Sequence, residues 1–175
     1  MTKDHLLGVY QTSANHIQLT YASLVFWSYP DTPALFEQLY AHIENIPRPF
    51  PELSSFLHNE QALRIACEEL YNSAHRSALK DLFPLTKLYC HKTGQLDKLK
   101  AQPWFQFWRI LRNCFAHDMV FNFNKDERAL LPVSWSGVTI DINMNGRPLT
   151  HGQCSYEKMR ELIDTARNFI SRDVA

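Results

Sequence analysis

Residues 101–118 read AQPWFQFWRILRNCFAHD, and the fold class turns on whether this stretch is a helix. On a wheel of about 100° per residue with Arg112 at 0°, Ala116 falls near 40°, Arg109 near 60°, Asn113 near 100°, Gln106 near 120° and His117 near 140°. Every polar residue from Gln106 to His117 lies in that arc. Trp104, Phe107, Trp108, Leu111, Cys114 and Phe115 fill most of the remainder, as expected for a helix whose aromatic side faces a core. The same period recurs in both directions along the chain, so the expectation is a mainly α, up-and-down helical bundle.

Upstream, residues 3–29 carry Leu6, Leu7, Tyr10, Ala14, Ile17, Tyr21, Leu24 and Val25 at helical spacing before Pro30. Thr32 and Pro33 predict an N-cap and first turn. The helix they start should run to about Asn45, with Phe36, Leu39, Tyr40 and Ile43 inward. Pro47, Pro49 and Pro51 predict a stiff extended connection. Residues 59–92 form the longest helical pattern, which Pro84 should kink or split. Residues 96–118 form the next helix, with a restart possible at Pro103.

Downstream the period changes. Val138, Ile140, Ile142 and Met144 alternate with polar residues, Asn145-Gly146 signals a type I′ hairpin, and Ser136-Gly137 signals a second turn. A small antiparallel meander is therefore expected over residues 129–150. Ser155 should cap a last helix ending near Arg172, with Tyr156, Met159, Ile163, Ala166 and Ile170 on one face. The chain reads as one domain over 1–175: a bundle at 3–118, a β appendage at 121–150 and a C-terminal helix at 155–172.

Composition narrows the function. The chain has 175 residues, 45% of them hydrophobic and 21% charged, an ordinary globular balance. Eighteen bases offset eighteen acids, which argues against a simple polycation. The charge is uneven, however. Residues 1–75 hold three bases and eight acids, whereas residues 76–128 hold ten bases and five acids, so an anionic ligand would favour the middle third. The longest apolar run, Tyr21–Tyr29, is too short for a membrane span. No secretory segment opens the sequence, so a cytoplasmic location is expected. Cys67, Cys90, Cys114 and Cys154 form no disulfide framework and read as buried thiols. His5, His16, His42, His58, His75 and His91 read as surface or half-buried residues. Cys114-x2-His117 and His151-x2-Cys154 offer zinc-ligand types, but two single pairs far apart do not make a metal signature, and no cofactor is expected. No Walker loop, G-x-G-x-x-G, G-x-S-x-G or H-E-x-x-H occurs.

The polar arc is where chemistry is expected. It holds two guanidiniums, two amides and an imidazole without a carboxylate. Asn113 lies four residues from both Arg109 and His117, and so is placed to orient the imidazole. Arg112 is suited to a bidentate grip on a phosphate, and His117 to moving a proton.

Arg112-Asn113-Cys114-Phe115-Ala116-His117 resembles the R-x4-6-H signature of the HEPN superfamily (higher eukaryotes and prokaryotes nucleotide-binding). There, too, a polar residue often follows the Arg, and the motif sits late in a core helix of a helical bundle. The resemblance covers residues 3–118. It implies a metal-independent endoribonuclease that acts through the 2′-OH of RNA, with Arg112, Asn113 and His117 as catalytic residues. Arg109 and Gln106, in the same arc, are expected as further substrate contacts. One His per chain cannot easily be acid and base at once, so a homodimer with the site at its interface is expected. The resemblance also brings a toxin or phage-defence setting into view, with an antitoxin or nucleotidyltransferase as partner. Some family toxins carry a Tyr two residues after the His that such a partner modifies, and Met119 stands there instead. The alternative is a catalytically silent module of the same kind that binds a nucleotide or a protein.

Overall fold

The computed structural model describes residues 1–42 and 52–174. The expected end of the second helix (Ile43, Asn45) and the Pro47–Pro49–Pro51 connection lie outside the described residues. Eight α-helices carry the described chain, with one two-stranded antiparallel sheet. They are α1 (Lys3–Trp27), α2 (Thr32–Ala41), α3 (Leu53–Leu57), α4 (Glu60–Lys92), α5 (Leu96–Lys100), α6 (Phe105–Ala116), α7 (Lys125–Arg128) and α8 (Tyr156–Asp173). The strands are β1 (Val133–Trp135) and β2 (Val138–Ile140). No helix among the described residues is long and apolar enough to cross a membrane.

The fold divides into two compact units, residues 1–14 with 75–175, and residues 15–74. The core of the first gathers around Trp108, which is fully buried. Its indole Nε1 donates to the Leu79 carbonyl at 2.9 Å, and its ring lies 5.3 Å from Phe83 and 5.8 Å from Trp104. Trp104 in turn meets Phe169 of α8 at 5.7 Å. The α8 face buries Met159, Leu162, Ile163, Ala166, Phe169 and Ile170, the stripe its 3.6-residue period requires. Tyr10 of α1 is buried, and its hydroxyl shares a 2.6 Å hydrogen bond with Thr86 of α4. All four cysteines are free and buried. His75 is buried as well, its ring 5.3 Å from Tyr156, deeper than the surface or half-buried position expected.

In the second unit Leu57, Leu63 and Cys67 form a small cluster packed by Leu24, Trp27, Phe36 and Leu53. The N-cap of α2 is Asp31 rather than Thr32, and its side chain makes no cap hydrogen bond. The Thr32 hydroxyl instead donates back to the Phe26 carbonyl at 2.6 Å. Helix α4 runs as one element through Pro84. Pro84 is exposed, so the carbonyl deprived of a backbone donor can meet water.

The expected meander is smaller than its alternation suggested. Val133, Ser134 and Trp135 pair with Ile140, Thr139 and Val138. The hairpin turns at Ser136-Gly137, whose φ values of 48° and 79° suit a type I′ turn. Ile142–Met144 is a 3-10 helix, not a strand. Asn145 has φ −57° and ψ 128°, Gly146 has φ 77°, and the Arg147 N–H donates to the Met144 carbonyl at 2.9 Å. That is type II geometry, not the I′ hairpin expected. The segment after this turn pairs with the chain leaving α6: Leu149 N–H to Met119 O at 2.7 Å and Phe121 N–H to Arg147 O at 2.9 Å.

Candidate functional site

Helix α6 follows Pro103 and presents Phe105, Phe107, Trp108, Ile110, Leu111 and Cys114 to the core. Gln106, Arg109, Arg112 and Asn113 are half-buried on it. Burial pushes the Cys114 thiol up to about 12, which makes it an inert packing group rather than a thiolate. Among the described residues, no three His, Cys, Asp or Glu side chains gather as a metal-ligand cluster.

His117 does not lie on the helix. It is the C-cap, with φ −132° and ψ 72°, so the wheel angle assigned to it does not apply. Asp118 and Met119 follow at φ 55° and 59°, two non-glycine residues in the left-handed region. The Met119 N–H donates to the Cys114 carbonyl at 3.2 Å, the six-to-one closure of a Schellman ending. The chain thus turns out of α6 directly after His117, which is exposed. Nothing in Phe115-Ala116-His117-Asp118 announces this, because the position that usually takes glycine holds Asp118.

Arg112 and Asn113 are joined. Arg112 Nη1 donates to Asn113 Oδ1 at 3.1 Å, and Asn113 Nδ2 donates to Glu127 Oε1. Both polar atoms of the Asn113 amide are therefore engaged away from His117. Glu127 is 2% exposed, and its Oε2 accepts from the Asn124 N–H at 3.0 Å. Asn124 Oδ1 accepts the Glu127 N–H at 2.9 Å, completing a capping box on α7. A carboxyl group thus reaches an arc whose own helix supplies none. The signal lay in the sequence: Asn124-x-x-Glu127 is an N-cap pattern, and Glu127 was missed because the arc was read from one helix. Two polar atoms here, Gln106 Oε1 and Arg112 Nε, are buried with no hydrogen-bond partner.

An open cavity of about 410 Å³ lies elsewhere, lined by Leu24, Trp27, Leu57, Leu63 and Cys67 with the exposed His58 and Arg64. None of the predicted site residues lines it. No family model matches the chain, and neither a curated protein nor a solved structure does.

Proposed function

We propose that the protein is a metal-independent endoribonuclease of the HEPN type, with Arg112 and His117 as its reacting pair. The observation that carries this reading is the end of α6. A half-buried Arg112, tethered through Asn113 to the buried Glu127, precedes by five positions an exposed imidazole at the C-cap. RNA brings its own nucleophile, the 2′-OH. The protein need only move protons and stabilise charge on phosphorus. In this reading His117 is the general acid or base, and Arg112 binds the phosphate oxygens. Asn113 and Glu127 act through Arg112 as positioning residues. Arg109 and Gln106 extend the substrate surface along α6. A second copy across a two-fold axis would supply the second imidazole.

A second reading, a catalytically silent module that binds a nucleotide or protein, is favoured by the commitment of the Asn113 amide to internal bonds. One experiment separates them. Wild type and His117→Ala are incubated with structured and unstructured RNA in excess EDTA, and the product ends are identified. The nuclease reading expects 2′,3′-cyclic phosphate and 5′-OH ends, and a loss of about 100-fold or more in His117→Ala. No cleavage by folded wild type would select the silent module, and cleavage abolished by EDTA would overturn the mechanism.

A further inference from the structure

Helices α4 and α6 lie antiparallel. Phe105 meets Phe83 at 5.4 Å. Further along α6, the Trp108 indole donates to the carbonyl of Leu79, which lies earlier along α4. With Lys80 at 0° on the wheel, Leu79 and Phe83 fall at about 260° and 300°, so α6 sits at about 280°. On α6, with Arg112 at 0°, Phe105 and Trp108 fall at about 20° and 320°, so α4 sits at about 350°. In an antiparallel pair, wheel angles that increase from the contact turn toward the same side of both helices. Lys87, Lys80 and His91 lie about 60°, 80° and 100° past the contact on α4. They therefore share one side with Arg112 and Arg109, about 10° and 70° past it on α6. The opposite side is covered by α1 and α8: Thr86, at about 240° on α4, bonds Tyr10, and Trp104, at about 280° on α6, packs on Phe169.

This side is cationic. Lys80, Lys87 and His91 are exposed, and Arg109 and Arg112 are half-buried. Among the described residues, Lys80, Lys87 and Arg109 form no ion pair. Asp81 and the exposed Leu88 stand at about 100° and 80° on the α4 wheel, on the flank turned away from α6. Glu127 reaches the side near Asn113, but it is buried and bonded there. The exposed acids Asp118 and Asp126 come after α6 has ended.

We infer that this side of the α4–α6 pair is a track for the phosphate backbone of one nucleic-acid strand, running from Arg112 along α4 past Lys80 and Lys87 to His91. Chemistry selects this occupant. A backbone asks for spaced positive donors and no apolar contact. A lipid surface takes a basic helix through inserted apolar side chains, and a protein interface centres on aromatic residues with lysine depleted. Neither feature is present on this side. The antiparallel register sets Arg112 beside the start of the Arg76 turn, so the track extends over about fifteen residues, or about 22 Å. One strand carries about six phosphates over that length. The inference rests on the proposed function for the strand being a substrate, and adds that this substrate is several nucleotides long.

The probe is a fluorescein-labelled strand of about twenty deoxyuridines, which keeps the phosphates and lacks the 2′-OH, so binding is read apart from cleavage. Anisotropy is measured between about 50 and 200 mM salt. Lys80→Gln with Lys87→Gln removes two contacts. The slope of log affinity against log salt should become shallower by about 1.4, and affinity at about 0.1 M salt should fall about 25-fold. Arg160→Gln with Arg172→Gln makes the same change of charge at exposed positions of α8, and should weaken binding less than about threefold. Both double variants should keep the wild-type circular dichroism spectrum, because glutamine is a good helix former. No binding by wild type at about 100 μM protein and 0.1 M salt, the weak limit of non-specific binding, would overturn the inference. So would equal losses in the two double variants, which would leave net charge alone as the cause. Binding to phosphatidylserine vesicles but not to the strand would overturn it in favour of a lipid surface. The nuclease reading fails separately. Wild type that holds the strand but leaves RNA uncut keeps the track and loses the nuclease, whereas RNA cleavage undiminished in the Lys80, Lys87 variant keeps the nuclease and loses the track.

Discussion

Replacing Glu127 by Gln tests the link between α7 and α6 with almost no change of shape. The two Glu127 oxygens accept from two different donors, Asn113 Nδ2 and the Asn124 N–H. A glutamine amide has one acceptor oxygen and presents an NH2 group in the other position. One donor therefore loses its partner and faces another donor. The side chain is 2% exposed, so water does not restore the bond. A hydrogen bond to a carboxylate contributes about 1.5–3 kcal/mol, partly offset because a charge is no longer held away from water. The net expectation is a loss of about 1–2 kcal/mol. For a chain of 175 residues this lowers Tm by about 2–8 °C. The assay is thermal and urea unfolding of wild type, Glu127→Gln, Asn113→Ala and the double variant. Asn113 and Glu127 share a bond, so the double variant should lose about 1 kcal/mol less than the sum of the singles. Melting of Glu127→Gln within about 1 °C of wild type, or a cycle additive to about 0.3 kcal/mol, would refute the bridging role of this carboxyl.

Two further outcomes follow from local geometry. Gly137→Ala should cost about 1 kcal/mol, read as a lower urea midpoint, because φ 79° suits glycine while nothing within 4 Å of the added Cβ obstructs it. Stability should also fall as pH rises from about 9 towards 12. Burial holds the Cys114 and Cys154 thiols at about 12 against an ordinary value of 9.0, so the unfolded chain releases these protons first and gains stability relative to the folded one. Urea midpoints at pH 8, 9.5 and 10.5 should decline in that order, and should decline less in Cys114→Ala than in wild type.

The helices were legible where period and punctuation agree. Helices α1, α6 and α8 follow from apolar spacing, with Pro30, Pro103 and Ser155 at their borders. Pro84 misled in the other direction: an exposed proline can sit within a long helix when its neighbours Leu82 and Phe83 are buried. The alternation of Ile140, Ile142 and Met144 suggested a third strand, but Asp141 accepts the Asn143 N–H and starts a 3-10 turn instead. At the site, Arg109, Arg112, Asn113 and Gln106 share α6 as the period requires. His117 is off the wheel altogether, because the helix ends at this C-cap with a left-handed Asp118 in place of the usual glycine. Glu127 needed knowledge of which loop returns to α6, and that depends on tertiary pairing between residues 119–123 and 145–149, which short-range pattern does not encode.

Helix α7 has only four residues, too few to persist by their own propensity. Its capping-box residue Glu127 also holds the last turn of α6, through Asn113. The two elements therefore gain or lose structure together, and a short surface turn takes on the opening free energy of α6 rather than that of a loop. Amide protons at Glu127 and Arg128 would then exchange with solvent on the timescale of the interior, although Arg128 itself is exposed.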